Sequence, residues 1–267
     1  MLSKFVTLGR LLQIREFISI KNIFALRRMD RYIPGKVKTK LGYIEFVDSI
    51  SFLSGVEEIF IDEIYKVKSF ASEIPVVIDC GANIGLSAMY FSEVYGAKVY
   101  AYEADPNIYQ VLKRNVSTIC TNGNVEVNNL AVWVNDKGVT FDVEGGYSGQ
   151  IHQHGHKLVK ESIQVPSMGL YEILSGIKNA NFLKLDIEGA ENQALLECSG
   201  VLNAIDYIFI EWHSITLESQ YLGEILNLLK AEGFRYHVKE AFISTHPFVM
   251  IEEICGMDIQ LNIFAYK

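Results

Sequence analysis

The stretch "VVIDCGANIGLSAMYFSE", residues 76–93, decides how the rest of the chain is read. An apolar run ends in Asp79; Gly81, Asn83 and Gly85 are then spread over a turn before helical spacing begins. A buried strand running through a glycine turn into a helix opens a parallel α/β sheet, and such sheets bind ligands beyond the carboxyl ends of their strands. A dinucleotide would ask for G-x-G-x-x-G, whose middle glycine admits a pyrophosphate onto the helix N-terminus. This turn reads D-x-G-x-N-x-G instead. It places a carboxylate, Asp79, where a diphosphate would be repelled and where a ligand carrying an amino group or a sulfonium would be welcome.

Outward from that turn, strands and helices alternate. After the strand at 76–80 the pattern predicts a helix at 85–95, a strand at 98–103, a helix at 106–116 and a strand at 125–132. It then predicts strands at 182–188, 206–212, 234–239 and 258–267, with helices at 168–178, 190–197 and 217–232 between them. Strands separated by single helices require a mostly parallel, doubly wound α/β sheet covered on both faces. Residues 133–181 break the rhythm with short strands and glycine-rich loops, and are read as an insertion that shapes a substrate pocket. Residues 1–73 form an N-terminal appendage: a helical arm, a β-hairpin over 31–53 around Gly42, and a short amphipathic helix over 55–67. The sheet domain is residues 74–267.

Charge is uneven. Residues 1–40 carry ten Lys/Arg against Glu16 and Asp30, net +8, so the remainder of a chain of net charge −8 carries −16. A basic arm over residues 1–31 suits a helical cap on the domain, contact with an anionic membrane surface or a partner, or a transit peptide. The acidic body argues against nucleic acid, which needs a basic face on the domain itself. Cys80, Cys120, Cys198 and Cys255 form no CxxC pair, and no uncharged run of about 18 apolar residues occurs, so a cytoplasmic location, with membrane association through the arm, is expected.

The second strand ends in Glu103, with Ala104 beside it, at about the distance where an acid grips the ribose hydroxyls of a bound nucleoside. A nucleoside without pyrophosphate and with a cationic amino-acid tail is S-adenosylmethionine. Further acids gather at later strand ends: Asp186 and Glu188 in "KLDIEGAE", and Glu211 in "FIEWHS", where His213 shares its side of the pleat. Carboxylates clustered in a cleft are costly unless they meet a cation, a metal or hydroxyl donors. Glu191 reads equally as an acid offsetting a helix dipole.

The elements "DCGANIG", "YEADP", "LKLDIEGAE" and "FIEWH" together resemble the FkbM family of S-adenosylmethionine-dependent methyltransferases, over about residues 74–240. The resemblance implies a class I methyltransferase (Rossmann-like) fold, with a seven-stranded sheet whose last strand is antiparallel. It also implies methyl transfer to a hydroxyl of a sugar, glycan or related metabolite. By motif position Asp79, Gly81, Asn83 and Gly85 match the cofactor loop, and Glu103 the ribose acid. Cys80 stands where the family pattern more often has valine.

An alcohol oxygen must lose its proton as it is methylated. His213, whose ordinary pKa is near neutral, is the first choice as general base, with Glu211 and Asp186 beside it. Alternatively Asp186, Glu211 and His213 hold Mg²⁺, or His213 is a hydrogen-bonded core residue. Glu188, Tyr147 and His152 are candidate acceptor contacts, and Trp133 would suit a sugar face. The cluster His152, His154 and His156 reads as solvated loop, acceptor contacts or a metal site. Two rival functions are an NAD-dependent oxidoreductase, disfavoured by Asp79, and a non-catalytic module docking on a membrane or assembly.

Overall fold

The computed structural model describes residues 8–143, 150–151, 161–216, 218–254 and 256–267. Helices α1 (Leu8–Ile14) and α2 (Ile20–Arg27) bury Ile14, Ile23 and Leu26, the link between them buries Ile18, and Arg10 pairs with Glu57 and Asp62. Strands β1 (Gly35–Lys38) and β2 (Tyr43–Phe46) form the antiparallel hairpin expected around Gly42. The hairpin stops earlier than its alternation suggested. Asp48 accepts a hydrogen bond from the Ser51 N–H at 2.8 Å and caps helix α3 (Ser49–Val56), which runs on into a π turn, Glu57–Ile61. Thus "SISFL" is helix, because a side-chain cap outweighs the strand pattern.

The main run comprises β3 (Val76–Cys80), α4 (Leu86–Tyr95), β4 (Lys98–Tyr102), α5 (Pro106–Ile119), β5 (Val125–Asn128), β6 (Ala131–Trp133) and β7 (Val139–Val143). It continues through β8 (Gln150–Ile151), β9 (Glu161–Val165), β10 (Ser167–Gly169), α6 (Leu170–Gly176), β11 (Phe182–Leu185) and α7 (Glu191–Leu196). It ends with β12 (Tyr207–Ile215), α8 (Leu222–Ala231), β13 (Arg235–Phe242) and β14 (Met257–Tyr266). Seven strands join in the order β13-β14-β12-β11-β3-β4-β5; β14 is antiparallel to both neighbours and the other pairs are parallel. The expected strand at 125–132 is two strands. The Asn129 amide donates to the carbonyls of Glu103 (2.8 Å) and Ala104 (3.0 Å), and beyond this break β6 leaves the sheet to pair with β10. In the 133–181 segment, β7 pairs with β8 and β9.

Register brings the site together. Leu185 of β11 lies opposite Cys80 of β3 and Ile210 of β12, so the next residues, Gly81, Asp186 and Glu211, emerge side by side at the carboxyl edge. β12 continues past that edge against β14, which carries His213 one pleat beyond Glu211. β11, rather than β12, is the direct neighbour of β3.

The appendage is packed on the sheet. One hydrophobic cluster runs from Ile14, Phe52 and Val56 to Val77, Phe91 and Leu112. At its centre Tyr65 stacks on Phe91 (5.6 Å) and meets Phe209 edge-on (5.0 Å). Each such ring removed from water contributes about 1.5–3 kcal/mol, so the basic arm is anchored through the residues that follow it. Among the described residues no helix is long and apolar enough to cross a membrane.

Candidate cofactor and acceptor cleft

The turn after β3 is held from below. Asp79 is fully buried: its Oδ2 accepts from the Ser87 hydroxyl at 2.6 Å, and its Oδ1 lies 3.4 Å from the Lys184 ammonium. Lys184, on β11 and 3% exposed, also donates to the Gly81 carbonyl at 2.8 Å and lies 3.2 Å from Asp186 Oδ2. Burial works against its charge, but Asp186 and Asp79 raise its pKa well above the ordinary lysine value. This corrects the sequence reading. The carboxylate expected to meet a ligand's cation meets a lysine inside the protein, and the turn is braced by an Asp79–Lys184–Asp186 ion network.

The turn itself is tightly determined. A β-carbon on Gly81, at φ +81°, would stand 1.7 Å from the Asp186 carbonyl oxygen, so only glycine lets β3 and β11 approach. Every backbone N–H from Gly81 to Gly85 is already hydrogen-bonded. Gly81 and Ala82 donate to the Tyr102 carbonyl, Asn83 to Glu103 Oε2, Ile84 to Asn83 Oδ1 and Gly85 to the Ala82 carbonyl. Glu103 is pinned at its other oxygen by the Asp105 N–H at 2.8 Å. Burial raises its pKa to about 7 against the pull of those two backbone donors.

Above the turn lies a cavity of about 430 Å³, within the usual range for small-molecule sites. Of the residues expected from sequence, Gly81, Asn83, Glu103, Ala104, Asp186, Glu188 and Glu211 line it, whereas Asp79, Gly85 and His213 do not. Tyr147 and His152, with His154 and His156, lie outside the described residues. Trp133 is half-buried on β6 and is not a lining residue. Lys184, Ser87 and Glu58 are among the lining residues that the sequence reading did not name. Lys184 was signalled by a lone lysine in the apolar run "FLKL"; Ser87 and Glu58 had no local signal. Glu58 comes from the π turn, where burial and then Asp186 push its carboxyl upward. With Ile50, Ser51, Ser54 and Tyr65 it makes the appendage one wall of the cavity.

His213 sits behind Glu188 and Glu211. Its side chain is 2% exposed, Nδ1 lies 3.3 Å from Glu191 Oε1, and Nε2 lies 3.9 Å from both Glu188 Oε2 and Glu211 Oε1. Burial opposes the imidazolium, but Glu191, Glu188 and Glu211 outweigh it and raise the pKa to about 10. Burial raises Glu188 to about 8, and burial with Asp186 raises Glu211 well above the usual carboxyl range. The general-base role expected of His213 is not the one its surroundings favour: the ring is not among the residues lining the cavity and stands among Glu191, Glu188 and Glu211. Glu191 does more than offset a dipole. It is fully buried and accepts from the N–H groups of Ile187 (2.7 Å) and Gly189 (2.9 Å), closing the turn that presents Glu188 at φ +55°.

A seven-stranded sheet with one antiparallel strand between its last two parallel ones, and a nucleoside-sized cleft at its carboxyl edge, defines a class I methyltransferase fold. The family model for the methyltransferase FkbM domain matches residues 79–236, more than half of the chain, and the chain belongs to that family. Methyltransferase sdnD of Sordaria araneosa is 42% identical over 62 residues, 23% of this chain and 24% of that protein. Methyltransferase 1 of Beauveria bassiana is 26% identical over 161 residues, 52% of this chain and 64% of that protein. The matched portion thus spans less than two thirds of either curated relative. Among solved structures, TYW2 of M. jannaschii in complex with AdoMet aligns with a TM-score of 0.48 at 14% identity, over 89% of this chain and 87% of that one.

Proposed function

We propose that this chain is an S-adenosylmethionine-dependent O-methyltransferase acting on a hydroxyl of a sugar, glycan or related metabolite. The observation that carries the reading is the saturated turn beside Glu103. With each N–H from Gly81 to Gly85 spent internally, the turn has no donors for a diphosphate, while Glu103 faces the cavity and suits a pair of ribose hydroxyls. Leu130, Ala131 and Val132 would supply the apolar wall for a base. When bound, S-adenosylmethionine supplies a methyl group on a sulfonium leaving group.

The chain's own residues then orient and desolvate the acceptor, which is worth on the order of 7 kcal/mol of the barrier. Glu58, Asp186, Glu188 and Glu211 line the cavity and favour hydroxyl donors and cations over phosphates. Glu188 and Glu211, 22% and 18% exposed, would receive the acceptor's proton, with His213 behind them at 3.9 Å from each. Calorimetric titration with S-adenosylmethionine and with NAD tests the donor: the reading requires heat of binding with the first and none with the second. Incubation with labelled donor and a panel of polyhydroxyl acceptors, followed by product mass, tests the acceptor; transfer to nitrogen or carbon alone would refute the O-methyl assignment.

A further inference from the structure

The Asp186 side of the cleft gathers donor atoms in a way that methyl transfer by orientation alone does not explain. Asp186, Glu211 and His213 each offer one ligand atom, and these lie within 4.8 Å of one another. Acidic clusters are common, and the imidazole sets this one apart. The His213 side chain is 2% exposed, and among the described residues its Nε2 has no hydrogen-bond partner; carboxylate oxygens of Glu188 and Glu211 are each 3.9 Å away. On the far side of the ring Glu191 holds Nδ1, and Glu191 is itself fixed by two backbone N–H groups. A carboxylate behind an imidazole whose other nitrogen faces acids is the arrangement that orients metal-ligating histidines. Lys184 engages Oδ2 of Asp186 and leaves Oδ1 uncommitted.

We propose that Asp186, Glu211 and His213 Nε2 bind one divalent transition-metal ion, of the Mn²⁺, Fe²⁺ or Zn²⁺ class. Ligand atoms sharing such an ion stand roughly 3–4 Å apart, so the present spacings close with small side-chain rotations. The imidazole moves the preference away from the Mg²⁺ that the sequence reading offered for these three residues, because Mg²⁺ favours all-oxygen octahedra with several waters. In the cleft the ion holds an acceptor hydroxyl and lowers its pKa, with Glu188 left to take the proton. That task rests on the methyltransferase reading; the binding of the ion does not.

The test uses the full chain, stripped with chelator and titrated with Mn²⁺ without donor or acceptor, while electron paramagnetic resonance reads the free ion. The expected result is one Mn²⁺ per chain, displaced by Zn²⁺. Glu211→Gln and His213→Gln abolish binding, and Glu191→Gln weakens it by about 10–100-fold. Circular dichroism checks folding, and Glu211→Gln, at a partly exposed position, carries the test if the histidine variant does not fold. A free-ion signal matching the buffer blank throughout, or Glu211→Gln binding as tightly as the unaltered protein, overturns the proposal. Ion binding without methyl transfer would sink the functional reading and leave the site; methyl transfer without ion binding would do the reverse.

Discussion

Replacing Lys184 by methionine should unbrace the turn beneath the cleft. Methionine fills much of the same volume, so packing is largely kept and the lost quantity is the charge. In its absence Asp79, fully buried, keeps only the Ser87 hydroxyl, and Asp186 loses the ammonium 3.2 Å from its Oδ2. The Gly81 carbonyl also loses its 2.8 Å donor. Removing one partner of a buried ion pair costs about 3–5 kcal/mol, because the other charge is stranded. For a chain of this size each kcal/mol moves the midpoint by roughly 2–4 °C, so the variant should melt about 6–20 °C lower. The assay is urea unfolding at several pH values, reading the midpoint and the slope separately. In the unaltered protein the Lys184 pKa is raised, so its contribution is present below the unfolded lysine value and is lost only as the pH climbs through the higher folded one. A loss below about 1 kcal/mol at neutral pH would refute the ion-network account of the turn.

Gly81→Ala places its β-carbon 1.7 Å from the Asp186 carbonyl at φ +81°, and is expected to cost about 3 kcal/mol or more in chemical denaturation and to abolish donor binding. Glu103, with its pKa raised to about 7, accepts hydroxyl hydrogen bonds best when ionised. Donor affinity measured by calorimetry should therefore fall as the pH drops below about 7, and a flat profile would remove Glu103 from the ribose contact. Asp48 is held down to about 2 because Arg31 and the N–H groups of Tyr32 and Ser51 outweigh its burial. Its stabilisation is complete above the unfolded value of 3.8 and is lost as the pH falls toward 2. Asp48→Ala should cost about 1–2 kcal/mol at neutral pH and flatten that acid limb in thermal melts. Glu58→Gln should weaken acceptor binding, read as a raised KM, while leaving donor affinity close to unchanged.

Much of the sheet was legible because its strands are apolar runs between glycine turns, and the period of a buried strand survives in one sequence. β3 matches its expected span, and the carboxyl-edge positions of Asp186 and Glu211 follow from the strands that carry them. What was not legible depended on a single side chain acting at a distance. Asn129 breaks a strand by reaching back to the carbonyls after β4, and Asp48 starts a helix inside a strand-like pattern. At the site, residue types pointed to the cleft but not to their facing. Asp79 turns inward because Lys184, 105 positions later, is two strand residues from Asp186 and directly opposite it in register. For His213, alternation gives the face, while its depth follows from Glu191, which no periodicity links to β12.

The cavity wall begins at Arg31 and is completed by Gln260, so its halves are made far apart in time during synthesis. A nascent chain that has delivered only the glycine turn and Glu103 still lacks Asp186, Glu211 and Gln260, and cannot yet grip a ligand as the finished molecule does. A small molecule that binds here only when the chain is folded therefore draws on segments from Arg31 to Gln260 at once, and by mass action stabilises them together.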